Sequence, residues 1–575
     1  MSINRFDARW SVTLGALLVS ACSEPGVAVR PTAPASATLS SQVTGAAGGV
    51  PERPERSMAS SFFTLSDSAL WRMGAKSDSV FSVGVRSPGA ARGTYRGQWL
   101  VSGLEQTSRV GALRQRQGIT VVGYDTSLPR IFVKVPNPAL LASLRKEAFV
   151  DYVEPRRLPR ELLSLSSFGG CGIGDNGNEY TFGPTGDEVP TSFIKARVDR
   201  AWAYANGSGV WLGIVDTGVN PSNYQLGTSQ FTSGWSAGRA PLRQSNVIGG
   251  FGTGLCSHGT YMGAVAAAPR DGIYTQGVAW KANLHAITVE TGVVNAAATD
   301  VTQGVLDATN QGSKVIAMAL GVALHSSALT DAIQRAFFQY NVVVVAAAGT
   351  SPASVPWHTW FVVYPANLSE VMAASAANYD GTRDNQSHTG AELDIVSYQP
   401  TTTSSYNGYG HYNFGNSSNA TAMVAGVAAL IRQRFPSISA DSVRRRIINT
   451  AGTRCGSGTT FGPILNAEAA VGGVCVPFGA PAGPPSLTFD RRAYGDNRTS
   501  QTAQYCVTAS GGAGPLQITW QNGAQGTCRT VTFQRGTYTQ RVGVDVRDLG
   551  AALPALTVFV DVSVVDLDTI CPTCV

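Results

Sequence analysis

The sequence predicts an α/β protein: a parallel-sheet body, preceded by a small ferredoxin-like α+β unit and followed by a small all-β sandwich. Three observations predict it. Between Val189 and about Val474, apolar runs of strand length alternate with helical segments, and runs without polar alternation suit strands covered on both faces of a parallel sheet. Ahead of this, about sixty residues carry strands alternating with two short helices. Behind it, period-two patterns at Val542, Val544, Val546 and at Val558, Val560, Val562, Val564 give strands with one apolar face.

Taken in order, the chain begins with a basic segment (Arg5, Arg9), an apolar stretch from Trp10 to Ala21, and Cys22. That is the layout of a secretory signal, and the stretch is too short to stay as a membrane span. Val19-Ser20-Ala21-Cys22 resembles a bacterial lipobox, in which the cysteine is lipidated and becomes the new N-terminus. Cleavage after Ala21 without lipidation fits the same residues. Export implies an oxidising compartment, and without Cys22 eight cysteines remain, an even number whose connectivity spacing does not decide. Cys571-Pro-Thr-Cys574 closes the chain with no following helix and reads as a terminal staple.

Residues 22–92 are rich in Ser, Ala, Pro and Gly and read as a flexible tether. In the α+β unit, 93–160, the reading is a strand at Gln98–Ser102, a helix marked by Val110 and Leu113, a strand at Ile131–Val135, a helix at Pro138–Lys146 and a strand at Val150–Glu154. The body, 189–476, shows strands at Gly209–Val215, Lys314–Met318 and Val342–Ala348. The β domain spans 484–575, with strands at Leu516–Trp520 and Arg529–Phe533 among others.

Of the 575 residues, 43% are hydrophobic and 14% charged, which excludes a charge-driven disordered chain. No apolar run reaches the roughly 20 residues of a spanning helix. The net charge of +6 is spread without basic runs, which argues against a nucleic-acid partner.

Three segments carry chemistry, in the order Asp, His, Ser. Ile214-Val-Asp216-Thr-Gly218 places a carboxylate at the C-terminal end of a buried strand, where doubly wound sheets hold their sites. Ser257-His258-Gly-Thr opens an apolar helix with an imidazole. Asn416-Ser-Ser418-Asn-Ala sets a hydroxyl at the start of a small-residue helix. Alone, each has a structural reading: a turn, a packed histidine, an N-cap. Together they supply a nucleophile, a base to take its proton and a carboxylate to orient that base.

With these motifs, residues 189–474 resemble the subtilases, the subtilisin-like serine peptidases. The resemblance implies a subtilisin-like fold and a secreted or surface-anchored serine endopeptidase that hydrolyses protein or peptide substrates. It implies Asp216, His258 and Ser418 as the triad, and Ala319, Leu320 and Gly321 as an edge pairing with an extended substrate. The segment 93–160, including Tyr152-Val-Glu-Pro155, is similar to the family's N-terminal propeptide, an intramolecular inhibitor removed by self-cleavage. Two departures stand out. Thr350 follows Ala347-Ala-Gly349 where the family has its oxyanion asparagine, so Thr350 is the oxyanion candidate; the same departure motivates an alternative, a catalytically impaired scaffold protein. Asn416 replaces a glycine before the nucleophile, and Asn tolerates left-handed backbone better than most residues. Asn416 or Asn419 is a further amide candidate for the oxyanion, Cys256 is placed to pair with Cys171, and Trp357–Trp360 follows the oxyanion segment as a candidate subsite wall. No metal-ligand spacing joins His285, His325 and His411. No cofactor is identified, and no carboxylate cluster maps to the calcium that some family members bind.

Overall fold

The computed structural model describes residues 62–86, 103–157, 179–183, 186–227, 235–248, 256–292, 296–322, 324–351, 359–451 and 462–472, and six strands between 486 and 563. The signal and lipobox readings, Cys22, Gln98–Ser102, Cys171, Trp357 and the terminal cysteine pair lie outside these residues.

The N-terminal unit comprises β1 (Val80–Val85), β2 (Thr120–Tyr124), β3 (Arg130–Lys134) and β4 (Val150–Pro155), with helices at Asp67–Ala75, Gly103–Arg114 and Pro138–Arg145. Its antiparallel sheet runs β2-β3-β1-β4, the strand order of a ferredoxin-like unit. The structure corrects the tether reading: Asp67–Ala75 is a helix, capped by Ser66, and Val80–Val85 is a fully buried strand at the middle of the sheet. The surrounding Ser and Gly hide these elements in composition, although Phe81, Val83 and Leu70 are wholly buried.

The body is built on β7 (Trp211–Asp216), β8 (Arg243–Asn246), β9 (Asn283–Thr288), β10 (Val315–Met318), β11 (Val343–Ala347), β12 (Val371–Ala377) and β13 (Ile395–Tyr398). All seven pair in parallel, in the order β13-β12-β11-β10-β7-β9-β8. Two short ribbons flank it, β5 (Tyr180–Phe182) with β6 (Glu188–Pro190), and β14 (Thr401–Ser404) with β15 (His411–Phe414). Strand side chains alternate between two cores. Leu212, Ile214, Val315, Ala317, Val343 and Val345 face one, beneath the His258–Ala267 and Asn416–Arg434 helices. Val215, Ile316, Met318, Val344 and Ala346 face the other, shared with the Ala298–Asn310 and Ser327–Gln334 helices and continuous with the interior of the N-terminal unit. Each fully buried branched side chain contributes about 1.5–3 kcal/mol. From β7 the chain passes to the edge strand β8, returns to β9 beside β7, and then crosses to β10 and outward through β13; such a switch point opens a crevice at the strands' C-terminal ends.

In the C-terminal region, β16 (Ser486–Asp496), β17 (Ser500–Ser510) and β19 (Cys528–Gln534) form one antiparallel sheet; β18 (Leu516–Trp520), β20 (Thr539–Asp548) and β21 (Leu556–Ser563) form another. Two of these strands, β16 and β17, carry too many polar residues to show in the hydrophobic pattern. Their register sets Cys506 opposite Cys528.

Candidate active site

Asp216 ends β7, and the next three residues turn away from the sheet to meet the helix that starts at His258. Thr217 ties the two together: its hydroxyl donates to the Cys256 carbonyl (3.0 Å) and accepts from the Gly259 amide (2.9 Å). The contact is close enough to require glycine, because a Cβ at Gly259 would stand 2.3 Å from the Gly218 carbonyl oxygen. The result is a fixed pair: Asp216 Oδ1 accepts from the Thr217 amide (2.8 Å) and from His258 Nδ1 (2.8 Å). An ionised carboxylate only accepts, so His258 carries its proton on Nδ1 and presents Nε2 as the acceptor. Both side chains are buried, Asp216 completely.

The nucleophile segment reaches the imidazole through Phe414, whose ring meets His258 edge-on at 5.2 Å, while Tyr412 stacks on Tyr261 one turn along the same helix (4.1 Å). Asn416 takes the left-handed conformation, φ +59°, as its position in the place of a glycine requires. Ser418 lies in the first turn of the Asn416–Arg434 helix and is half-buried. The helix has no side-chain N-cap, but its Asn416 amide donates to Gln399 Oε1 (2.5 Å) and its Asn419 amide to the Gly415 carbonyl (3.2 Å), which leaves the Ser417 and Ser418 amides as the first-turn donors for an anion. Among the described residues, no hydrogen bond joins the Ser418 hydroxyl to His258.

Thr350 follows β11 and faces this helix start: its Oγ1 lies 2.7 Å from Ser417 Oγ. Asn419, by contrast, is buried with its amide donated to the Tyr398 carbonyl (2.9 Å), which removes it as an oxyanion donor. The Gly321 carbonyl accepts from the Ala296 amide (2.9 Å), so it is already engaged, while Ala319 and Leu320 are buried just beyond β10. Trp360 is 69% exposed beneath the Arg383 guanidinium, 4.7 Å from its ring centre. Cys256 is disulfide-bonded. No group of three metal-ligating side chains is gathered among the described residues, and no helix among them is long and apolar enough to cross a membrane.

Two groups near the site escape motif reading. Glu290 follows β9 beside Asp216; burial, then the Asp216 charge, holds its carboxyl well above the usual range. His388 packs against Gly349 and bonds Ser351. Neither sits in a recognisable motif, and only the turns beyond the strand ends bring them in.

A buried carboxylate orienting an imidazole at the end of a parallel-sheet strand, with Phe414 on that imidazole four residues ahead of Ser418, has the make-up of a serine hydrolase site. The comparisons narrow the class. Residues 207–479 match the Subtilase family. Subtilisin DY of Bacillus licheniformis is 34% identical over 281 residues, 48% of this chain and 96% of that protein; subtilisin BL of Lederbergia lenta is 35% identical over 267 residues, 46% of this chain and 91% of that one. The solved structure of MycP1 from Mycobacterium smegmatis covers 52% of this chain and 86% of its own, with 21% identity and a TM-score of 0.40. This chain belongs to the subtilase family, and it is a serine endopeptidase.

Proposed function

We propose that the chain hydrolyses peptide bonds through an acyl-enzyme on Ser418, with His258 as general base and then acid, and Asp216 as its orienter. The observation that carries this reading is the buried Asp216–His258 bond, which leaves Nε2 as an acceptor for the hydroxyl of Ser418 in the first turn of the Asn416–Arg434 helix. The hydroxyl surrenders its proton to Nε2 as it attacks the scissile carbonyl. The imidazolium, stabilised by Asp216, then returns that proton to the leaving amine. A serine–histidine bond that is long without substrate and tightens when one is bound is ordinary for such sites. In this reading the Thr350 hydroxyl and the Ser418 amide are the oxyanion donors.

The wider reading is an exported enzyme, anchored by lipid at Cys22 or released, with the unit ending at Pro155 as an inhibitory propeptide and a disulfide between Cys256 and Cys171. Its support is the sequence layout, together with the seating of that unit on the body through Glu154: Ser326 Oγ and the Ser327 amide both donate to it at 2.6 Å. In this reading the two C-terminal sheets are the faces of a small sandwich. An impaired scaffold is disfavoured, since a buried Asp–His pair has no binding role to fill. The test is labelling with a fluorophosphonate: wild type is labelled at Ser418, whereas Ser418→Ala is neither labelled nor processed. Folded wild type that resists the probe would falsify the acyl-enzyme reading.

A further inference from the structure

Thr350 has a short side chain where the family's amide would stand, and the structure shows what surrounds it. Ser417 is buried, 1% exposed, and its hydroxyl has one hydrogen-bond partner among the described residues, Thr350 Oγ1 at 2.7 Å. A buried hydroxyl that cannot reach water donates to the acceptor it has. Ser417 is therefore the donor and Thr350 the acceptor. This leaves the Thr350 proton free, on an exposed residue bonded to the side chain that immediately precedes the nucleophile.

The backbone of Thr350 is held as firmly as its side chain. Thr350 bridges Ser387, the Ser351 amide donates to the Gln386 carbonyl (2.9 Å), and the His388 amide donates to the Gly349 carbonyl (3.0 Å). The His388 imidazole fixes the same turn: Nδ1 donates to the Phe361 carbonyl (3.0 Å), so Nε2 accepts from the Ser351 hydroxyl (2.7 Å). Its ring lies against Gly349, at φ +126°, where a Cβ would come within 2.5 Å of it. Only glycine admits both the conformation and the contact.

We propose that Ser417 is a positioning residue that aims the Thr350 hydroxyl at the oxyanion, so that two hydroxyls in series do the work of one amide. The donated bond polarises the Thr350 hydroxyl and strengthens the bond it gives in turn. The inference rests on the acyl-enzyme reading above. It adds Ser417 as an orienting partner, and the Ser351–His388 pair as the clamp on the turn.

The experiment measures kcat and KM on an internally quenched peptide, per site counted by fluorophosphonate labelling of the full chain. T350V lowers kcat by about 100-fold with KM unchanged. S417A lowers kcat by roughly five- to tenfold, yet by less than about twofold when added to T350V, because its effect passes through Thr350. S417T, which keeps the hydroxyl, recovers most of the loss. Should S417A reduce the count of folded sites, S417C of similar volume takes its place with the same expectation. An S417A loss that is undiminished in the T350V background, or that appears in KM, overturns the proposal while leaving the triad standing. Wild type that takes no label removes both.

Discussion

Asp216 and Glu154 are both buried carboxylates, one ending a strand of the body and one on the strand that joins the N-terminal unit to it. Asp216 meets an imidazole and an amide. Glu154 accepts from the Ser326 hydroxyl and the Ser327 amide at the start of a helix. Asp331 on that helix lies close to Glu154, to Asp151 on the same strand as Glu154, and to Tyr152. Arg130 is the nearby cation, and it is already paired with Asp125 at 2.6 Å. Burial pushes Glu154 up to about 7 despite its hydrogen bonds. Burial, then the charges of Asp151 and Glu154, holds Asp331 well above the carboxylate range. The lesson is that burial alone does not decide an acid's role. A partner able to take a positive charge makes one carboxylate an orienter; burial without such a partner makes the other a proton-dependent fastening.

Four substitutions test this contrast, beginning with the largest effect. Asp216→Asn leaves the packing intact but favours the wrong histidine tautomer, and kcat falls by about 10⁴-fold; a fall of less than tenfold would mean His258 is oriented by something else.

At the other carboxylate the effect appears in stability against pH. Glu154 holds its proton more tightly folded than unfolded, so its contribution is complete below the ordinary carboxyl value near 4.5 and is lost as pH rises through about 7. The span amounts to about 3 kcal/mol. In the unprocessed Ser418→Ala chain, protection of the Val150–Glu154 amides, expressed relative to their intrinsic exchange rates, falls between pH 5 and 8, and Glu154→Gln flattens that fall. An equally steep fall in the Gln variant would place the titration elsewhere.

Gly259→Ala drives a methyl group against the Gly218 carbonyl and costs about 1–3 kcal/mol of stability, read as a lower thermal midpoint. It also lowers kcat, since the same contact holds His258 to Asp216. The smallest effect is from Asp331→Asn, which removes a buried acid whose proton is held well above the carboxylate range. It raises the unprocessed chain's stability by about 1 kcal/mol more at pH 8 than at pH 5, measured by urea unfolding.

Much of the body was legible because its determinants are local. Val342–Ala348 has no polar face to offer solvent, so it reads as a covered strand and is one. The small residues after His258 and Ser418 read as helices that pack closely, as Gly259 and Gly426 do here. The strand Val80–Val85 was not legible: six residues in a Ser- and Gly-rich stretch carry too little pattern to outweigh their surroundings. Nothing local announces that Ala296 bonds the Gly321 carbonyl.

The amino-acid order alone determined the types and spacing of the catalytic side chains and the layers that carry them, since periodicity and turn chemistry act over a few residues. Tertiary structure decided which atoms meet: Thr350 with Ser417, His388 with Ser351, Glu154 with Ser326. These contacts join residues 67, 37 and 172 positions apart. Hydrogen bonds act over about 3 Å, so only the folded path of the chain creates them.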